Sequence, residues 1–378
     1  LVQLIAYFGA WFSNVAIFTM LVNLGASSLM ISIVTAMLFL PGILISPFSG
    51  ALIDRLPLKK LMTILLLTEL LMTLMFLTIT TIDDLWLLML ILFIRMGSAS
   101  MFFSCEMSLL PKVISGVKLQ KANEIHSIIW SFTYTAGMAI SGIVVAIWGT
   151  TTAFIIDALF FVAALLVFVT IKIDLPIKEH SEKLFAMIKD GSIYIKNHPR
   201  IMQLIFLHAA IGLTSFDTLI TLLADWEYKY VIAVPLAIGL SNAIRALALM
   251  IGPFIVGKVI NKENLAFFFL VQGICIILWG LTQGNFYISL VSLFCVGFVT
   301  STLWSYTYAM LQEEIEQKYL GRVLAYNEMI FMLSNVLTTL FIGAFATIIG
   351  LDFVTFTLGI LFVVVAFWYK KYIQVWYK

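Results

Sequence analysis

Twelve apolar runs separated by short polar breaks constrain this chain more than any other feature. They lie near residues 2–24, 29–53, 60–80, 85–110, 121–147, 151–172, 201–224, 231–257, 264–283, 286–311, 322–348 and 351–372. An α-helix rises about 1.5 Å per residue, so roughly 20 apolar residues cross a hydrocarbon core about 30 Å thick. In lipid the backbone must satisfy its own hydrogen bonds, which leaves helices or closed barrels. Barrel strands would be about ten residues long with strict alternation, and no run here alternates. The expected fold class is an all-α membrane protein with twelve transmembrane helices.

Composition agrees where it bears on the argument. Of 378 residues, 62% are hydrophobic and 11% charged, against about 25% charge in an ordinary soluble domain. A soluble enzyme, a nucleic-acid-binding protein, a secreted disulfide scaffold and a disordered chain are all excluded. Cys105, Cys275 and Cys295 sit in apolar runs without CxxC spacing and read as buried core. The chain begins at Leu1 rather than Met, so a short preceding piece is expected. The first run is too long for a signal-peptide core.

Lysine and arginine orient the runs. With both termini on one side, that side holds 19 of the 22 Lys and Arg residues, the other only Lys229, and Arg95 and Arg245 lie within runs. The positive-inside rule makes the lysine-rich side cytoplasmic. A multi-pass protein of the cell (inner or plasma) membrane with both termini cytoplasmic is expected. The one substantial connection, 173–200, carries Leu184, Met187, Ile188 and Ile195 as a possible apolar stripe on a lysine-bearing helix. Such a helix would lie on the inner leaflet. His180 and His198 within it read as solvated. The expected organisation is a six-helix bundle over 1–172, a cytoplasmic linker over 173–200, and a second six-helix bundle over 201–378.

The two bundles repeat one another. Gly50-Ala-Leu-Ile-Asp54-Arg55 after the second run is echoed by Gly257-Lys-Val-Ile-Asn261-Lys262 after the eighth, at an offset of 207. Ala122-Asn123-Glu124 is echoed by Tyr326-Asn327-Glu328 at 204, and Gly142 and Gly149 by Gly343 and Gly350 at 201. A duplicated six-helix unit is the parallel-repeat plan of many transporters.

These residues also carry a family resemblance. The link Gly50 to Lys60 resembles the loop 2–3 motif of the major facilitator superfamily, a Gly, three residues, Asp-Arg and a basic cluster. Pro57 and Leu58 stand where that motif has Gly and Arg. The segment from Ser108 through Pro111 to Ala122-Asn123-Glu124, and Gly321-Arg322-Val323, resemble the branch that includes macrolide-efflux proteins and the enterobactin exporter. The resemblance implies two pseudo-symmetric six-helix bundles and an alternating-access exporter, often proton-driven. Gly137-Met138 to Ser141-Gly142 stands where antiporters of the superfamily often carry Gly-Pro-x-x-Gly-Gly, so this chain departs from that motif.

Ionisable residues inside the membrane are the first functional candidates, because an isolated buried charge costs several kcal/mol. Arg95, His208, Asp217 and Arg245 are the proton-coupling candidates. The fold implied by the resemblance places Arg95, His208 and Asp217 toward a central cavity, with Asp217 able to pair with Arg245 or Arg95, or to form a static pair. His208 and Asp217, nine residues apart, would be about 13 Å apart along a continuous helix. Glu69 and Asp157 fall in spans expected to be peripheral and read as structural hydrogen-bonding groups. Tyr7, Asn14, Trp304, Tyr306 and Tyr308 are candidates for lining an amphipathic substrate's pocket, with ordinary packing as the competing reading.

A cytoplasmic gate is the second candidate. Gly50 would allow close helix approach, Asp54 would accept from a neighbouring helix N-terminus, and Arg55 would pair with Glu106. Glu124, Gly257, Asn261, Lys262, Arg322 and Glu328 are its further expected members. Gly252 to Lys258 matches GxxxxGK, but Val259 follows where Ser or Thr would bind magnesium, so nucleotide binding is rejected. No metal or cofactor motif appears. The expected function is a secondary transporter, most readily a proton-driven exporter of hydrophobic or amphipathic molecules. Siderophore or lysophospholipid export and an uncoupled membrane binding protein or scramblase are the alternatives. Its expected partners are a small amphipathic substrate, protons and the lipid bilayer, with no nucleic acid and a monomeric state.

Overall fold

A computed structural model of the chain describes residues 1–114, 117–171 and 184–377. All regular structure among these residues is helical. Eleven helical stretches are long and apolar enough to cross a membrane. The longest, Val117–Thr170, would extend about 80 Å if straight, far beyond a bilayer core. It breaks at Gly149, whose φ of 81° and ψ of 172° leave helical geometry. The break divides it into spans five and six and brings the number of spans to twelve.

Gly350 repeats this device between span eleven, Leu320–Ile349, and span twelve, Leu351–Trp368, with φ 86° and ψ 158°. Only a residue without Cβ enters this backbone region readily. The two positions stand at the 201-residue offset read from the sequence, so the repeat is visible in backbone geometry.

Two spans are interrupted where single helices were expected. Span two consists of Ser28–Ala36 and Leu40–Arg55. Pro41 lies in the first turn of the second segment, where its missing amide proton leaves no helical hydrogen bond unmade. Span seven consists of Pro199–Ala209, a tight 3-10 turn over Ala210–Thr214, and Asp217–Trp226. The continuous-helix spacing of His208 and Asp217 is thereby corrected. Asp217 opens a new helix, where the exposed amides favour a carboxylate.

The first and last six spans meet at the end opposite the lysines. Gly142 on span five packs against Pro235 and Gly239 of span eight, Val234–Ile255, and Gly343 on span eleven packs against Ser28 and Ser32 of span two. Ser28 and Ser32 are the 207-offset partners of Pro235 and Gly239, so both contacts are one contact made twice. Ser28 Oγ donates to the Gly343 carbonyl at 2.9 Å and Thr218 Oγ1 to Thr35 Oγ1 at 3.0 Å. Together these contacts join the two halves at that end.

Candidate functional site

In the first six spans, Arg95 lies on span four, Leu85–Val113. It is 4% exposed, and its Nη2 lies 2.6 Å from Asp157 Oδ2 on span six. Its guanidinium also covers the rings of Phe76 and Phe161, at 5.3 and 5.5 Å from their centroids. Ser13 on span one, Val2–Asn23, donates to the same Asp157 oxygen. The span-one backbone approaches closely here, since a Cβ on Gly9 would stand 2.7 Å from Asp157 Oδ1. Asp157 therefore ties three helices together, and its Oδ1 is buried. Glu69 on span three, Leu58–Met75, is 6% exposed and lies within electrostatic range of Arg95 and Asp157.

Toward the lysine-rich end of the same spans, Tyr7 donates to Glu106 at 2.9 Å and Gln3 hydrogen-bonds His126. Glu106 and His126 share the wall of a cavity of about 270 Å³ with Val2, Met62, Phe102 and Phe168. Tyr7 thus serves Glu106 here, where it was expected to line a substrate pocket. The side chain of Arg55, expected to pair with Glu106, lies outside the described residues, as do those of Asp54 and Glu124, and the surroundings of Gly50.

In the last six spans, His208 is fully buried and its Nδ1 hydrogen-bonds Thr307 Oγ1 of span ten, Phe286–Glu314, at 2.9 Å. Trp304, Tyr308 and Phe331 surround the imidazole with ring centroids at 5.4–5.5 Å. Trp304 and Tyr308 stack on each other at 5.1 Å. Tyr306 instead packs, partly buried, against the main apolar core. Asp217 and Arg245 lie within electrostatic range of each other and of Tyr134 on span five. Neither forms an ion pair within 4 Å among the described residues, and the Arg245 guanidinium lies over Phe216 at 5.7 Å. Arg95, the other partner considered for Asp217, is committed to Asp157.

Several buried polar atoms on spans one, seven, eight and eleven have no hydrogen-bond partner among the described residues: Trp11 Nε1, Asn14 Oδ1, His208 Nε2, Asn242 Oδ1, Arg245 Nη1 and both amide atoms of Asn327. Native interiors satisfy nearly all such groups. Trp11 stacks on Tyr134 at 4.2 Å, which carries the aromatic surface from span one across span five toward Arg245. Sequence reading missed Trp11, Tyr134, Asn242 and Gln3. Trp11 lies one turn from the candidate Asn14, and that spacing was the signal available.

At the lysine-rich end Lys262 Nζ pairs with Glu313 Oε2 at 2.9 Å, and Arg322 Nη1 with Asp190 Oδ2 at 2.5 Å. Asn261 Oδ1 accepts from the amides of Glu263 and Asn264, so it organises its own turn rather than reaching a neighbouring helix. No atom would meet a Cβ on Gly257, so close helix approach is not its role here. Glu328 is half-buried and within electrostatic range of Tyr308. The linker forms a helix over Leu184–Asn197. It docks on span eleven through Asp190, through Gly191 against Arg322 and Tyr326, and through Tyr194 stacked on Tyr319 at 4.1 Å. His198, expected to be solvated, stacks on Tyr194 and bonds its carbonyl at 2.7 Å. His180 and residues 172–183 of the linker lie outside the described residues. Cys105 is buried as expected, Cys275 half-buried, and Cys295 exposed on the helix surface.

The chain resembles known proteins at three levels. The family model described as Major Facilitator Superfamily matches residues 1–281. Among curated relatives, an uncharacterized MFS-type transporter, YfiS of Bacillus subtilis, is 28% identical over 206 residues. That match covers 53% of this chain and 49% of YfiS, so it spans about half of that relative's length. Macrolide efflux protein A of Streptococcus pyogenes is 21% identical over 369 residues, covering 90% of this chain and 86% of that protein. Among solved structures, the nucleoside transporter NupG superposes with a TM-score of 0.74 at 14% identity, covering 100% of this chain and 97% of that one. A bacterial homologue of the iron transporter ferroportin, in an inward-facing state, gives 0.70 at 14% identity, covering 98% and 97%. At these identities the structures speak to the fold alone.

Proposed function

The chain belongs to the major facilitator superfamily, and from that premise we propose that it is a proton-coupled exporter of hydrophobic or amphipathic small molecules working by alternating access. The observation that carries this reading is the set of buried polar side chains on spans one, seven and eight with atoms lacking a hydrogen-bond partner among the described residues: Trp11, Asn14, His208, Asn242 and Arg245. Trp11 stacks on Tyr134, and His208 sits against the Trp304–Tyr308 stack. An apolar, aromatic lining with few polar groups suits a ligand that is mostly greasy and orients by a few hydrogen bonds. The full-length likeness to a macrolide efflux protein points the same way.

Asp217 is the proposed site of proton exchange beside the substrate. It faces Arg245 without a direct ion pair, so small movements of span seven change how well its charge is compensated. The lysine-rich end is cytoplasmic in this reading, the protein resides in the cell membrane as a monomer, and the described state is closed on the outer side. Lys262–Glu313 and the Asp54–Arg55 link act at the cytoplasmic end, where contacts of this kind must break and re-form as the two bundles rock.

The test is transport by purified protein in proteoliposomes under an imposed pH gradient, with macrolides, dyes, a siderophore and lysophospholipids as candidate substrates. Accumulation that collapses when a protonophore dissipates the gradient is expected. Movement of every substrate at a rate indifferent to the gradient would refute coupling and favour the uncoupled scramblase.

A further inference from the structure

A second group of ionisable residues lies away from the substrate junction, packed among spans one, three, four and six. It holds two carboxylates and one guanidinium. Asp157 is fully buried and takes Arg95 and Ser13 on its Oδ2, with the Thr73 hydroxyl of span three within hydrogen-bonding range of the carboxylate. Glu69 is 6% exposed, lies within electrostatic range of both, and forms no hydrogen bond or ion pair among the described residues. The remaining titratable groups near Glu69 are Glu106 on span four and Tyr7 on span one. On the 40–55 segment Asp54 and Arg55 have side chains outside the described residues.

We propose that Glu69, Asp157 and Arg95 form a proton-binding site in which two carboxylates share one guanidinium and a single proton, carried by Glu69. The argument is electroneutrality. With both carboxylates ionised the buried group bears an uncompensated negative charge, which costs several kcal/mol in this surrounding. Asp157 already holds the cation and a hydroxyl donor, so the proton falls to Glu69. A bound sodium ion would balance the same charge, so displacement by sodium is one of the outcomes the test reads.

Two features make the site exchangeable. The Glu106–Tyr7 hydrogen bond and the 270 Å³ cavity beside it lie between Glu69 and the lysine-rich end, giving a route for the proton. Ser13, which holds Asp157, is adjacent in sequence to Asn14 of the substrate junction, on a helix that packs closely through Gly9. A shift of span one on substrate binding would loosen Asp157, free it to compete for the proton, and link occupancy at the two places.

The site predicts behaviour that requires no known substrate, so its failure is distinguishable from failure of the export reading. Infrared difference spectra of the protein in nanodiscs, between acidic and alkaline buffer, should contain a protonated carboxyl band that disappears at high pH. Glu69→Gln should remove one component of that band. Asp157→Asn, which leaves Glu69 as the only counter-charge of Arg95, should remove the same component, and this second variant guards against misfolding of the first. Asp217→Asn should leave that component in place. A band left unchanged by both Glu69→Gln and Asp157→Asn, a component that does not titrate in the wild-type protein, its loss in Asp217→Asn, or its displacement by sodium at constant pH would each overturn the proposal.

Discussion

Gly239 and Gly142 pack backbone on backbone where span eight crosses span five. A Cβ on Gly239 would stand 2.6 Å from the Met138 carbonyl oxygen and 2.9 Å from Gly142 Cα. No flexible side chain stands between the helices to absorb a larger residue. A comparable crossing recurs at Gly343, where a Cβ would stand 2.7 Å from the Ser28 carbonyl oxygen. These two crossings hold the first and last six spans together at one end.

Gly239→Val should therefore push this end open. Overpacking costs about 1–3 kcal/mol, and 1.4 kcal/mol is a tenfold change in an equilibrium. The reactivity of a cysteine placed at Thr218, which is buried in the described state, should rise roughly tenfold toward a membrane-impermeant thiol reagent. Gly343→Val should act in the same direction. An unreactive thiol in both variants would mean that these contacts do not set the closed state.

Arg95→Gln should destabilise the protein more than any exposed charge substitution. Removing the cation leaves Asp157 buried beside Ser13 and Glu69 with nothing to compensate it, a loss of about 3–5 kcal/mol for such pairs. Thermal unfolding in detergent measures this. Combining Arg95→Gln with Asp157→Asn should recover most of the loss, because no uncompensated charge then remains. Equal loss in the single and double variants would show that Arg95 acts through its packing on Phe76 and Phe161 instead.

The twelve spans, their lysine sorting and the duplicated glycines were legible because each is a local or periodic signal. Gly149 and Gly350 carry matching positive φ values, 81° and 86°, at the offset the sequence repeats. What could not be read was which ionisable groups meet. Arg95 and Asp157 are 62 residues apart, and nothing along the chain distinguishes that pairing from Arg95 with Asp217. The breaks in spans two and seven were hidden for another reason. A hydropathy run records that residues are apolar, and a 3-10 turn over Ala210–Thr214 is as apolar as the helix around it.

The linker helix should be held more by its ring stack than by its ion pair. Arg322–Asp190 is partly exposed, and such pairs contribute at most about 1 kcal/mol. Tyr194 is buried against Tyr319 and its hydroxyl accepts from the Glu316 amide. Hydrogen exchange over 184–197 should accelerate strongly in Tyr194→Ala and only slightly in Asp190→Asn. The reverse order would assign the docking to the charges.

Asp217→Asn should abolish gradient-driven accumulation while leaving equilibrium substrate binding within a few-fold of wild type. The amide preserves shape and hydrogen bonding but cannot exchange a proton. Transport and binding measured on the same preparation separate the two effects. Unchanged accumulation would remove Asp217 from the mechanism.

Alternating access itself is tested most directly by paired distances across the two ends. Spin labels at Asp83 and Tyr230 report the end closed in the described state, and labels at Lys60 and Val259 report the lysine-rich end, all at exposed positions. With the three native cysteines replaced, pulsed electron-electron spectroscopy should show the two distances changing in opposite directions when substrate is added or the pH is lowered. The first should lengthen as the second shortens. Distances that stay fixed, or that lengthen and shorten together, would contradict a transporter whose two bundles rock about a central site.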